Sequence, residues 1–145
     1  METNFHRDLE SEEFSDRELY QSGIGSLLYL ASWTSPDIAA SVNILRQFAA
    51  KPSPNHWNGV KRALRYLKGI KDFKMLLKVG DNLELHCFAD SDWAASEVDR
   101  KSISGLAMLL DKSLISWKSK KQTIVAASTA EAEYAALGEM CNEDT

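Results

Sequence analysis

Two carboxylates have the type and placement that metal-dependent chemistry needs. Asp90 ends the alternating run of residues 83–90, so a β-strand would bring its side chain to the edge of a sheet. Glu133 lies on or beside the apolar stripe of a predicted helix, so its carboxylate needs a cation or a strong donor unless it reaches water at the edge of the stripe. Carboxylate oxygens are the ligands that Mg²⁺ prefers, and two such ions can activate a water against a phosphodiester. Two acids alone are too few to establish this site.

The neighbouring acids are weaker candidates, and most other site types are excluded. Asp92 shares the strand parity of Asp90, whereas Glu131 is the third residue of a capping box that begins at Ser128 and so has a structural role. The sequence contains no phosphate-binding loop, dinucleotide-binding, zincin or hydrolase-elbow motif. The residues alone therefore exclude these common sites and leave the Mg²⁺ site as a hypothesis that two acids do not establish.

The sequence also contains a strongly basic block. Residues 46–78 carry nine Lys and Arg residues against one acid, although the whole chain has a net charge of −4. Within the block, Lys61, Arg65 and Lys68 recur at spacings of four and three, which places them on one face of a predicted helix. The face beside it carries an apolar stripe, formed by Trp57, Val60, Leu64 and Leu67. The basic face could hold a nucleic-acid backbone or could simply be solvated, and charge alone leaves both interpretations open.

Length and composition narrow the class of protein. The chain has 145 residues, of which 44% are apolar and 26% charged, so we expect one globular domain or two small units. It has neither a membrane-spanning stretch nor an amino-terminal signal peptide, so we expect an intracellular protein with no membrane partner. Cys87 and Cys141 are 54 positions apart, so we expect two buried thiols rather than a disulfide scaffold or a zinc site.

The elements that must position these residues divide the chain into three segments. We predict an acidic mobile tail over residues 1–18, helices over residues 19–70, and strands followed by a helix over residues 71–145. The predicted helices are residues 20–31, residues 36–50 with Ser35 as the cap, residues 54–69 with Ser53 as the cap, and a segment after Ser128. The predicted strands are residues 73–79, 83–90, 103–110 and 114–119, the first two forming a hairpin around Gly80-Asp81-Asn82. The order predicts a mixed α+β or α/β fold.

Several short motifs occur in an order that is specific to one protein family. The downstream motifs are Ala89-Asp90-Ser91-Asp92-Trp93-Ala94, Asp99-Arg100-Lys101-Ser102-Ile103-Ser104-Gly105, Ile115-Ser116-Trp117-Lys118-Ser119-Lys120-Lys121-Gln122 and Ser128-Thr129-Ala130-Glu131-Ala132-Glu133-Tyr134. They resemble the ribonuclease H region of copia-type retrotransposon Pol polyproteins. The upstream motifs are Tyr20, Ile24-Gly25-Ser26-Leu27-Leu28-Tyr29-Leu30, Ser35-Pro36-Asp37-Ile38, His56-Trp57 and Arg65-Tyr66-Leu67-Lys68-Gly69. They resemble the thumb and connection at the end of the same polyprotein's reverse transcriptase, so the resemblance covers residues 19–141.

The resemblance implies a fold and an activity. It implies a helical thumb and connection segment, followed by the amino-terminal half of a ribonuclease H-like domain with a mixed sheet and a flanking helix. The family hydrolyses the RNA strand of RNA–DNA hybrids with two Mg²⁺ or Mn²⁺ ions held by four carboxylates. The first two match Asp90 and Glu133, and the other two would follow Thr145. We therefore expect the chain alone to be inactive and marginally stable.

The resemblance also implies partners and a location. Lys61, Arg65 and Lys68 would hold the phosphate backbone of the hybrid, and Lys118, Lys120 and Lys121 could extend this track or be solvated. The expected partners are an RNA–DNA hybrid or other nucleic acid and the remainder of the Pol polyprotein. The expected location is the cytoplasm, a virus-like particle or the nucleus. The alternatives are a non-catalytic remnant that binds nucleic acid or a protein, and a decayed reading frame without function.

Overall fold

The structure, a computed structural model, describes residues 13–78, 84–96 and 99–142. It is a mixed α+β structure with four α-helices and a three-stranded antiparallel sheet. The chain divides into two compact units, Met1–Lys74 and Met75–Thr145, called here the helical unit and the sheet unit. Among the described residues, no helix is both long and apolar enough to cross a membrane.

The helical unit is built from three α-helices and one short 3-10 helix. They are α1 (Arg17–Trp33), the 3-10 helix (Pro36–Ile38), α2 (Ala39–Arg46) and α3 (Pro54–Gly69). Their apolar stripes form one core, in which Leu27, Val42 and Val60 are completely buried. The hydroxyl of Tyr20 donates to the carbonyl of Leu45 at 2.8 Å, so a buried hydrogen bond joins α1 to α2.

The helix caps follow the predictions in one case and differ in another. The hydroxyl of Ser53 accepts from the backbone N–H of His56 at 3.3 Å, and the backbone N–H of Ser53 donates to the ring of His56 at 2.9 Å, so α3 begins with a capping box. Its predicted end at Gly69 is also confirmed. The predicted helix over residues 36–50 is confirmed in part. Ser35 stands at the N-cap position before Pro36, and a 3-10 turn leads directly into α2, but α2 ends at Arg46 and the side chain of Ser35 makes no capping bond.

The tail and the apolar stripe of α3 also differ in part from the predictions. Residues 1–12 of the predicted mobile tail lie outside the described residues. The rest of the tail is helical from Arg17, because the carboxylate of Asp16 accepts from the backbone N–H of Leu19 at 2.9 Å and begins α1. In α3, Val60 is buried, but Leu64 is 43% exposed, so the buried face lies slightly away from the predicted stripe.

The sheet unit contains three consecutive antiparallel strands. They are β1 (Leu85–Asp92), β2 (Ile103–Leu110) and β3 (Ser113–Lys121), in the order β1-β2-β3, and α4 (Thr129–Cys141) follows them. The β2 and β3 strands agree with their predicted ranges. Across the sheet, Gly105 lies opposite Asp90 on one side and Ser119 on the other. The first strand of the sheet is therefore the one that carries Asp90.

The predicted hairpin that begins at residue 73 is wrong for the residues that the structure describes. Residues 73–78 form no strand there, and β1 pairs with β2 instead. The backbone N–H and carbonyl of Lys78 are bonded to the hydroxyl of Ser113 at 2.7 and 2.8 Å. A side chain thus satisfies backbone groups that a strand would pair through a ladder. Residues 79–83, with the predicted turn, lie outside the described residues.

A buried amide fastens α4 to the sheet. Gln122 is 2% exposed, and its Nε2 donates to the hydroxyl of Ser104 at 3.0 Å and to the carbonyl of Ala132 at 2.8 Å. Because Ser104 lies directly opposite Ser91, α4 covers the sheet face that carries these two serines. Asp90 and Phe88 lie on the opposite face of the sheet.

The prediction of buried thiols is wrong. Cys87 and Cys141 are both free and exposed. Cys87 belongs to β1, an edge strand of the described sheet, and Cys141 is the last residue of α4. Few residues pack around an edge strand or a helix end, so a cysteine at either position can remain exposed.

Candidate functional site

Asp90 lies on the exposed face of an edge strand. Since side chains alternate along β1, Phe88 and Asp90 share one face while Ala89 and Ser91 face α4. Asp90 is exposed, and the residue opposite it, Gly105, has no side chain to cover it. Its carboxylate is therefore accessible to a large substrate.

Glu133 is brought to the same edge of the sheet from α4. It is half-buried, and its Oε1 accepts a hydrogen bond from the backbone N–H of Ser91 at 3.3 Å. This donor helps to offset the desolvation of a carboxylate beside an apolar stripe, whose buried members are Ala132, Ala136 and Met140. The bond places the carboxylate of Glu133 against the residue that follows Asp90. The structure thus places Glu133 beside the backbone of β1, whereas the side chain of Asp90 points to the opposite face of the sheet.

The remaining carboxylates of the region have separate positions. Glu131 has a structural role at the start of α4, but only half of the predicted capping box forms. Its N–H donates to the hydroxyl of Ser128 at 3.2 Å, whereas its Oε2 accepts from the N–H of Ala127 at 2.7 Å rather than from that of Ser128. Asp92 is exposed on the face of Asp90. Within residues 13–78, 84–96 and 99–142, no group of three or more His, Cys, Asp or Glu side chains is placed to hold a metal ion.

Two contacts that the sequence did not predict hold α4 and the segment before it against the sheet. Gln122 bonds the carbonyl of Ala132, the residue before Glu133. The indole N–H of Trp93, just after β1, donates to the carbonyl of Ala126 at 3.1 Å. The partners are 10 and 33 residues apart, so no local spacing could have revealed these contacts. Both restrict where the backbone of α4 lies, and thereby where Glu133 can reach.

The basic face of α3 is exposed as predicted. Lys61, Arg65 and Lys68 all have exposed side chains. The guanidinium Nε of Arg65 donates to the carbonyl of Lys61 at 3.3 Å, so the arginine lies along its own helix. The three cations are therefore available to a polyanion that lies along α3.

The three lysines of β3 are arranged differently. Lys120 and Lys121 pair with carboxylates, the first with Glu139 at 3.4 Å and the second with Asp99 at 2.9 Å. Because side chains alternate along β3, Lys121 lies on the face opposite that of Lys118 and Lys120. The lysines of β3 thus do not form one continuous cationic surface.

A groove in the helical unit is a further concave site. It has a volume of about 380 Å³ and lies between α3 and the start of α2. Its lining residues are Asp37, Ile38, Ser41, Arg62, Ala63 and Tyr66. The hydroxyl of Tyr66 donates to Oδ2 of Asp37 at 2.6 Å across it. This hydrogen bond raises the pKa of Tyr66, as do lesser contributions from burial and from the charge of Asp37.

Most of the chain is similar to known proteins. It is 44% identical over 124 residues to the retrovirus-related Pol polyprotein from transposon RE2 of Arabidopsis thaliana, covering 86% of the chain and 8% of the polyprotein. It is 40% identical over 124 residues to the Pol polyprotein from transposon TNT 1-94 of Nicotiana tabacum, covering 86% of the chain and 9% of that protein. These similarities indicate a fragment related to the Pol polyproteins of copia-type retrotransposons. Its residues correspond to a segment of Pol.

One relative has about the same length as this chain and is not named a Pol polyprotein. The chain is 41% identical over 124 residues to the secreted RxLR effector protein 161 of Plasmopara viticola, covering 86% of the chain and 87% of that protein. By contrast, the chain spans less than a tenth of the two Pol polyproteins. No family model matches the chain, and no solved structure matches it.

Proposed function

We propose that this Pol segment takes part in metal-dependent hydrolysis of the RNA strand of RNA–DNA hybrids during reverse transcription. The helical unit would act as a reverse transcriptase thumb and connection segment, and the sheet unit as the first half of a ribonuclease H-like domain. The observation that carries the proposal is the hydrogen bond from Ser91 to Glu133, because it brings a helix acid to the strand residue beside Asp90.

In this proposal Asp90 and Glu133 hold Mg²⁺ or Mn²⁺. Their carboxylates fit such ions, which take oxygen ligands and fill other positions with waters and substrate phosphates. A bound ion supplies an activated water and neutralises charge at the phosphodiester. The chain's own contribution is geometric: the N–H of Ser91 orients Glu133, and the exposed face of β1 leaves Asp90 open to the hybrid.

The basic face of α3 would carry the phosphate backbone of the hybrid. Contacts from Lys61, Arg65 and Lys68 to phosphates release counterions and carry no sequence information, which suits a template of any sequence. The other partner would be the remainder of Pol. The reaction would take place in the cytoplasm or a virus-like particle, or else in the nucleus.

A second candidate function is a non-catalytic binding module. The observation that favours it is the relative from Plasmopara viticola, of which the chain covers 87% and which is named a secreted effector rather than a polyprotein. In that case the basic face of α3 would bind nucleic acid or a protein without cleavage.

Cleavage of a labelled RNA–DNA hybrid tests the first proposal. A Pol protein that contains this segment and the residues after it should cleave the RNA strand with Mg²⁺, and Asp90→Asn should abolish cleavage because a metal ligand is lost. Glu131→Gln is the matched carboxylate control: it should keep the chemistry and change the stability of α4 little, because the Gln amide oxygen can still accept from the N–H of Ala127.

The outcomes separate the two functions. The 145-residue chain alone should not cleave the hybrid, because Asp90 and Glu133 by themselves offer few of the oxygen ligands that two metal ions need. Near-normal cleavage by the Asp90→Asn protein would show that another acid holds the metal. Binding of the hybrid without cleavage in every protein would favour the binding module.

A further inference from the structure

We propose that the groove between α3 and the start of α2 binds one unpaired nucleobase that carries an exocyclic amine, with guanine preferred. The inference rests on the proposed nucleic-acid contact of α3 and adds to it a site that can distinguish bases. Contacts to phosphates along α3 would be the same for every sequence. A pocket beside them would read one base that is not paired in a duplex.

The shape of the groove suits a flat ring. Its volume of about 380 Å³ lies within the roughly 300–1,000 Å³ of small-molecule sites. The buried residues Ile38 and Ala63 form an apolar floor, and the 47% exposed ring of Tyr66 forms one wall. Bases stack well on such aromatic side chains, whatever their sequence.

The acceptor in the groove favours a base with amino hydrogens. Oδ2 of Asp37 accepts from Tyr66, and an ionised carboxylate offers about four acceptor positions over its two oxygens. The raised pKa of Tyr66 keeps the phenol protonated, so it stays the donor in this pair. Guanine presents two adjacent N–H groups to one carboxylate. Uracil has a single ring N–H and no amine, so it makes the weaker partner.

The charge around the groove favours a ligand with a phosphate. Arg62 lines the groove one turn before Tyr66 on α3, and its neighbour Lys61 belongs to the basic face. An arginine guanidinium suits a phosphate because it donates two parallel hydrogen bonds. A base on Tyr66 can therefore extend its phosphate toward Arg62, where the groove meets the basic face of α3. A guanine nucleotide could therefore stack its base on Tyr66, donate its N–H groups to Asp37 and place its phosphate against Arg62 at the same time.

Titration of the ¹⁵N-labelled full chain with guanosine and uridine monophosphates tests the groove. We expect GMP to shift the amide resonances of Asp37, Ala63 and Tyr66, and to bind several-fold more tightly than UMP. Arg62→Gln should weaken GMP binding about fivefold or more, because the phosphate contact is lost. The matched control is Arg46→Gln, which removes the same charge from an exposed arginine of α2 outside the groove lining and should leave GMP binding unchanged.

The Asp37→Asn variant tests base recognition separately. An amide presents one acceptor and one donor group instead of two acceptors, so the preference for GMP over UMP should disappear while weak binding of both persists. Equal binding of GMP and UMP by the wild-type chain, shifts outside the groove, or equal losses in the Arg62 and Arg46 variants would overturn the proposal. These readouts involve no metal and no cleavage. If GMP does not bind the groove, the hydrolysis proposal is therefore unaffected. If Asp90→Asn does not change cleavage, the groove proposal is unaffected.

Discussion

The helical unit and the sheet unit bury different kinds of side chain. In the helical unit the completely buried residues are mainly large and apolar, among them Tyr20, Leu27 and Leu45. In the described part of the sheet unit, the buried residues include only two large apolar side chains, Leu106 and Met140. The others are small or polar: Ser96, Ser102, Ser104, Ser113, Gln122, Ala126, Ala132 and Ala136.

The difference indicates how each unit is stabilised. Apolar burial stabilises by roughly 25 cal/mol per Å² and needs no particular geometry, so the helical core tolerates small shifts. Buried polar groups stabilise only when their hydrogen bonds are made, because an unpaired group costs about 1–3 kcal/mol. The hydrogen bonds of Gln122 thus orient α4 on the sheet. Among the described residues, however, four buried polar atoms of the sheet unit have no hydrogen-bond partner: Ser91 Oγ, Ser96 Oγ, Gln122 Oε1 and Glu139 Oε2.

The largest expected effect is in the helical core. Leu27→Ala removes a completely buried side chain and should cost about 2–5 kcal/mol of unfolding free energy. Leu64→Ala is the matched control, because a side chain that is 43% exposed should cost less than about 1 kcal/mol. Hydrogen exchange in urea, followed separately for α1 and β2 amides, measures both. Equal loss of protection in the two units would show that they unfold together and would remove the basis of the comparison.

A smaller effect should follow from loss of the amide that joins α4 to the sheet. Gln122→Ala leaves the hydroxyl of Ser104 and the carbonyl of Ala132 without this donor and should cost the sheet unit about 1–3 kcal/mol. Amide exchange of Ser91 should also rise, because Glu133 loses its position. The exposed neighbour Thr123→Ala is the control and should change neither quantity. Unchanged stability in Gln122→Ala would mean that apolar packing alone holds α4.

Local signals in the sequence predicted the elements better than the contacts between them. The cap at Ser53, the end at Gly69 and the strand over residues 103–110 all depend on neighbours within a few positions, and all are confirmed. The hairpin predicted from residue 73 is wrong in the described residues. At Lys78 the backbone is bonded instead by the side chain of Ser113, 35 residues later. Distant pairing is not encoded in a local period.

The same limit applies to the candidate sites. Strand parity and helix spacing selected Asp90 and Glu133, but the bond that joins their elements comes from the backbone of Ser91, which has no residue-type signal. The groove was missed because Asp37 and Tyr66 are 29 residues apart. Spacing on one helix selected the basic face of α3, since that surface needs only one element.

The smallest expected effect concerns an exposed ion pair of the sheet unit. Partial burial tends to raise the pKa of Asp99, but hydrogen bonds and the charge of Lys121, whose Nζ lies 2.9 Å from Oδ1, outweigh it and lower the pKa to about 2. A lowered pKa in the folded state stabilises the fold above the unfolded value of 3.8, and this contribution is lost as the pH falls toward 2. Lys121→Met should therefore lower the thermal midpoint of the sheet unit slightly at pH 6, and the difference from wild type should vanish near pH 2. Because the Asp99 side chain is 39% exposed, solvent screens the pair and the shift of the thermal midpoint should be modest.

Lys112→Met, at the exposed turn between β2 and β3, removes the same charge and should show no such pH dependence. A wild-type advantage over Lys121→Met that persists at pH 2 would show that the lysine acts through its aliphatic packing rather than through Asp99.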